Sequence, residues 1–149
     1  MTDATRSDFL YVTYIRTTPE RLWAALTDPE MIRKYWFNMT VDCDWKVGAP
    51  WQLRFEDGRL ADAGEVLETD PPRRLVLRWH NEWKPEFKAE GDSRCTFEIE
   101  PADGVVKLTV HHEIDRGGSV LIGAVSGGWP RILSNLKTLI ETERLLFAA

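Results

Sequence analysis

Four stretches of the chain alternate apolar and polar residues with a period of two, and this narrows the fold more than any other feature. Trp51, Leu53 and Phe55 share one side of residues 51–55, and Leu75, Leu77 and Trp79 share one side of 73–80. Cys95, Phe97 and Ile99 do the same in 93–100, and Val106, Leu108, Val110 and His112 in 105–114. Successive side chains of a strand point to opposite faces, so each run presents one apolar face. Such strands form an antiparallel sheet with one covered face, and that face needs a second layer. Further strand-like runs lie at 9–16, 41–45 and 61–70, punctuated by Gly48, Asp57-Gly58 and Pro71-Pro72.

The covering layer is predicted at the C-terminus. Ile132, Leu133, Leu136, Leu139 and Ile140 recur at helical spacing, while Arg131, Ser134, Asn135 and Lys137 occupy the polar remainder. Pro130 suits the first turn of a helix, where its missing N–H costs nothing, so the helix is expected to open at Trp129. The glycines at 123, 127 and 128 then read as a turn into it, and 116–128 as a mobile loop able to act as a lid. A second loose stretch runs from Glu82 to Asp92. Near the N-terminus, Thr18 caps a short helix led by Pro19, with Leu22, Trp23, Ala25 and Leu26 as its stripe. Pro29 to Trp36 reads as a second short helix. The expected fold is α+β: six or seven antiparallel strands, two short helices after the first, and one long C-terminal helix against the sheet. Residues 1–149 make one domain on length.

Charge and motifs exclude several function classes. A net charge of −5 argues against a nucleic-acid partner. No run reaches the ~18 apolar residues of a membrane span, so membrane insertion is not expected. The N-terminus lacks a secretory pattern, which points to the cytoplasm, where Cys43 and Cys95 stay as buried thiols. No P-loop, GxSxG or HExxH motif occurs, and no cofactor, metal ligand or catalytic residue is assigned. His111 and His112 are strand neighbours facing opposite ways. His112, on the covered face, is either a hydrogen-bonded core histidine or a polar contact to a bound molecule.

Seven tryptophans stand at 23, 36, 45, 51, 79, 83 and 129. Each combines a large apolar area with one N–H to satisfy, which suits cores, interfaces and amphipathic pockets. Trp23 is read as core. Trp36, Trp79, Trp83 and Trp129 fall at the ends of elements, where they either line a pocket or fill it.

Taken in order, these pieces resemble a known family. They are Thr18-Pro19-Glu20-Arg21-Leu22-Trp23, Ala25 to Pro29, Trp36, Gly48 with Trp51, Gly64 to Leu67, Pro71 to Leu75, Trp79, and Gly128-Trp129 with Leu133, Leu136 and Leu139. The ordered set, spanning roughly 9–147, resembles the START-like (SRPBCC) superfamily. Within it, the chain is similar to the branch related to the C-terminal domain of the activator of the ninety-kilodalton heat-shock protein ATPase. The resemblance implies a helix-grip fold, a curved sheet wrapped on the long helix with a cavity between them. It implies a non-catalytic protein that binds a small hydrophobic or aromatic molecule. Trp36, Trp79, Trp83 and Trp129, with Phe97, His112 and Leu133, are the expected ligand contacts. Trp129→Ala is expected to alter binding more than melting temperature. The alternatives are a polyketide cyclase- or dehydratase-like enzyme, with His112 moving protons, and a stress-response co-chaperone with a chaperone partner. The chain is expected as a monomer or homodimer.

Overall fold

The structure, a computed structural model, describes residues 5–147. Its elements are β1 (Ser7–Ile15), α1 (Pro19–Thr27), α2 (Pro29–Tyr35), β2 (Thr40–Cys43), β3 (Pro50–Arg54), β4 (Leu60–Asp70), β5 (Arg74–Asn81), α3 (Pro85–Lys88), β6 (Ser93–Ala102), β7 (Val105–Ile114) and α4 (Val120–Thr142). The seven strands form one antiparallel sheet in the order β1-β7-β6-β5-β4-β3-β2. This is the expected helix-grip α+β architecture. The alternating runs decide the covered face: Leu75, Leu77, Trp79, Cys95, Phe97, Ile99, Val106, Leu108, Val110 and His112 are all buried. The opposite face carries ion pairs such as Arg74 with Glu98 at 2.6 Å and Arg94 with Glu68 at 3.0 Å.

The two short helices start as their caps dictate. Thr18 accepts from the Arg21 amide at 3.2 Å, and Asp28, which ends α1, caps α2 by accepting from the Glu30 amide at 3.2 Å. The Tyr35 hydroxyl donates to Ala25 O at 2.9 Å and locks the pair together.

The long helix departs from expectation at its start. It begins at Val120, so Trp129 lies within it and Pro130 sits in its interior. Most of the expected lid is therefore helix, and only residues 115–119 connect it to β7. The glycines weaken this segment by about 1 kcal/mol each relative to alanine, and Pro130 removes one backbone bond. Burial of Leu121, Ile122 and Trp129 outweighs them, and the first turn is strongly capped. The Ser119 hydroxyl accepts from the Ile122 amide at 3.1 Å. Glu90 reaches across from the β5–β6 connection and accepts from Ser119 Oγ (2.5 Å) and the amides of Val120 (2.9 Å) and Leu121 (3.3 Å). The loose stretch 82–92 thus contains a short helix, α3, and a clasp on α4.

Three smaller readings also change. Asn135 is buried rather than on a polar side: its Nδ2 donates to Tyr35 O at 3.1 Å, and its Oδ1 accepts from the Leu146 and Phe147 amides. Trp23 packs against the core but is only half-buried. Both cysteines are free; Cys95 is buried, whereas Cys43 is half-buried.

Candidate functional site

Between the upper half of α4 and the β3–β5 end of the sheet lies a cavity of about 510 Å³, within the range of small-molecule sites. Its helix wall is Leu121, Ala124, Val125, Gly128, Trp129 and Ile132, one face of α4 at helical spacing. This face makes the space. A Cβ built on Gly128 would meet nothing within 4 Å, so the helix leaves a gap where a larger side chain would fill it. Opposite stand Leu53 and Phe55 of β3, Ala61 and Asp62 of β4, and Trp79 and Asn81 of β5. Trp36, Phe37 and Met39 close one side; Trp83 and Phe87 close the other.

Tryptophans wall the inner end. Trp36 stacks near Trp79 (ring centroids 6.2 Å apart, planes 21° apart), and Trp129 meets Trp36 edge-on at 5.4 Å and Trp79 at 5.8 Å. Trp51 packs on Trp79 at 4.6 Å. Its indole donates to Arg78 O at 3.0 Å across Gly64. A Cβ on Gly64 would lie 1.8 Å from that carbonyl oxygen and 2.8 Å from Trp51 Nε1, so only glycine fits. Beyond this wall a void of about 30 Å³ remains, bordered by Leu26, Ile32, Leu75 and Phe97. The aromatic residues therefore divide between filling the centre and lining the open end.

His112 lies behind the wall. Trp129 Nε1 donates to its Nδ1 at 3.1 Å, which places the ring proton on Nε2. That nitrogen donates to Ser93 Oγ at 2.8 Å, and the hydroxyl in turn donates to Trp79 O at 3.3 Å. Each nitrogen of the His112 ring and the Ser93 hydroxyl therefore has a partner. Burial pushes the His112 pKa down to about 3, with the neighbouring His111 adding a smaller push in the same direction. The imidazole is neutral, fully occupied and buried, so it is not placed to move protons for a substrate.

The polar feature of the cavity is elsewhere. Asp62 and Asn81 face each other across β4 and β5, with Asn81 Nδ2 donating to Asp62 Oδ1 at 3.1 Å. Asn81 Oδ1 accepts from the Lys84 amide at 3.0 Å, which fixes the direction of the amide group. Burial pushes the Asp62 carboxyl up to about 6, although the Trp79 and Asn81 side chains donate to it and Glu82 and His80 act on it with opposite signs. Among the described residues no lysine or arginine is salt-bridged to it.

Of the residues expected to contact a ligand, Trp36, Trp79, Trp83 and Trp129 line the large cavity. Trp83 stands at its rim, 47% exposed and edge-on to Phe55 at 5.3 Å. Phe97 borders the small void, edge-on to Trp129 at 5.7 Å. His112 and Leu133 are buried and on neither wall. Asp62, Asn81 and Phe87 were not anticipated. Asp62 follows a register shift between β3 and β4, where both Ala61 and Asp62 are buried, so period-two counting does not place it. Among the described residues no group of three or more His, Cys, Asp or Glu is arranged to hold a metal ion, and no helix is long and apolar enough to cross a membrane.

The sequence model of a family described as activator of Hsp90 ATPase homolog 1-like protein matches residues 16–141. The chain belongs to that family. The match takes in every element named above except β1 and the last residue of α4. Solved structures agree with the fold. Protein MLL2253 from Mesorhizobium loti superposes with a TM-score of 0.80 at 25% identity, covering 93% of this chain and all of its own. An HSP90 activator from Plasmodium falciparum gives 0.71 at 22% identity, covering 90% of this chain and 96% of its own. CalU16 from Micromonospora echinospora gives 0.73 at 23%, covering 91% and 77%. A comparison with curated proteins finds no match.

Proposed function

We propose that this member of the activator of Hsp90 ATPase homolog 1-like family is a non-catalytic, cytoplasmic binding protein for a small aromatic or hydrophobic molecule. The observation that carries the reading is the cavity of about 510 Å³ under α4, with Trp36, Trp79, Trp83 and Trp129 on its wall. A core built only for stability would close such a space, because unfilled volume forfeits packing energy. Gly128 and Ala124 on the facing helix keep it open. Trp36, Trp79 and Trp129 present ring surface, Trp83 guards the entry, and His112 supports the wall from behind.

Native mass spectrometry against a panel of aromatic and apolar compounds, combined with intrinsic fluorescence, tests this directly. A one-to-one adduct with quenched or shifted tryptophan emission is expected. Absence of any adduct across the panel would remove the proposal.

Family membership favours a second reading, a co-chaperone acting on a heat-shock ATPase through its surface. Its test is the ATPase rate of a purified ninety-kilodalton heat-shock protein with and without this protein. No change in rate would count against it.

A further inference from the structure

We infer that the cavity selects an aromatic molecule bearing a protonated amine, with the Asp62 carboxylate as its partner. This rests on reading the cavity as a ligand site.

A carboxylate offers about four lone-pair positions. Asn81 and Trp79 supply two donors to Asp62, so acceptor capacity is left, and the residue lines the cavity. A buried carboxylate without a cationic partner is costly, and the described residues form no ion pair with it. The charged groups around it are engaged elsewhere. His80, on the opposite face of β5, bonds Glu82 at 2.9 Å, and Lys88 bonds the same Glu82 at 3.2 Å. Arg54 of β3 is turned to Gly58 O and Gln52. Arg131 of α4 lies over the Phe147 ring at 4.4 Å, at the exposed edge of the cavity. A ligand ammonium therefore meets an uncompensated anion at the sheet side and a cation at the helix side, which fixes its orientation. The surrounding rings add to the preference, since indole faces attract cations. A neutral hydroxyl would gain one hydrogen bond but leave the charge unpaired. A ligand carboxylate would face Asp62 with like charge.

Three probes sharing one ring system separate these cases: naphthylmethylamine, naphthalenemethanol and naphthoic acid, titrated calorimetrically at about pH 7.5. The amine should bind about tenfold more tightly than the alcohol, as expected for a charge-assisted hydrogen bond, and the acid most weakly. Asp62→Asn, close in shape, should bring amine and alcohol to equal affinity. Lowering the pH through about 6, where Asp62 takes up a proton, should do the same in the unmodified protein. Equal affinity of amine and alcohol at about pH 7.5 would overturn the inference while leaving the cavity reading intact. Failure of all three to bind would overturn both.

Discussion

The indole of Trp129 donates to His112 Nδ1 at 3.1 Å, and this one bond fixes the tautomer of a histidine that is otherwise sealed in the core. Trp129 is thus both cavity wall and structural partner. Trp129→Phe keeps the apolar wall but leaves Nδ1 unpaired in a dry site, which should cost about 1–3 kcal/mol. Trp129→Ala removes the packing as well and should cost about 3–5 kcal/mol. Denaturant unfolding measures both. A Phe variant as stable as the parent would show that the bond contributes nothing. Because the residue is 3% exposed and also on the cavity wall, setting this loss beside the change in ligand affinity tests the expectation that Trp129→Ala alters binding more than melting temperature.

Stability against pH should carry two opposed contributions. The unfolded chain protonates His112 near 6.5, while the folded protein resists until about pH 3. Stability from this group is complete above about pH 6.5 and is lost as pH falls. Asp62 acts the other way, because its folded pKa of about 6 stands above the ordinary 3.8. Its burial penalty is present at neutral pH and is relieved as pH falls through 6 toward 3.8. Asp62→Asn removes the second contribution, so the variant should be more stable than the parent at neutral pH and lose stability more steeply on acidification. Unfolding midpoints measured across this range decide it; parallel curves for the two proteins would refute the assignment.

Two glycines should respond in opposite directions. Gly64→Ala drives a methyl group into Arg78 O and the Trp51 indole and should destabilise by about 3 kcal/mol or more. Gly128→Ala has free space around it and should stabilise by about 1 kcal/mol through helix propensity. Gly128→Leu should occupy the cavity and abolish binding of the probe amine with little loss of melting temperature. Retained binding in that variant would place the ligand elsewhere.

The clasp on α4 also makes a prediction. The Glu90 side chain is 5% exposed. Although burial opposes its charge, the Ser119 hydroxyl and the Val120 and Leu121 amides hold its carboxyl below the usual range. Glu90→Gln keeps the shape and loses the charge-assisted bonds, so amide exchange should quicken through residues 119–125 while β6 and β7 stay protected. Uniform acceleration across the sheet would mean the clasp serves global stability instead.

The sheet was legible in the sequence because its covered face is written in period-two runs, from Leu75 to His112, that tolerate one register only. The upper half of α4 was not legible. Gly123, Gly127, Gly128 and Pro130 all signal a turn locally, and what overrides them is tertiary: Leu121 and Ile122 in the core, and a cap supplied by Glu90 from 30 residues away. Trp36 and Trp83 come just after α2 and β5, and Trp79 lies near the end of β5, which is why they read as cavity residues. Trp129 instead reaches the wall from inside α4. Asp62 could not be placed there, since it sits beside a bulge that breaks the alternation used to assign faces. His112 was legible as a buried histidine, but its partners Ser93 and Trp129 come from other elements and leave no local trace.

Trp36, Trp51, Trp79 and Trp129 lie in one continuous cluster, with neighbouring ring centroids between 4.6 and 6.2 Å. At such separations the excited states of the rings are shared, and absorbed light passes from one to the next. The four rings are close enough to couple optically, and three of them wall the cavity. A molecule that perturbs any one would be registered by all of them. Single-tryptophan emission therefore cannot be assigned by subtraction, and the near-ultraviolet dichroism of the intact cluster is the signal that reports the state of this site.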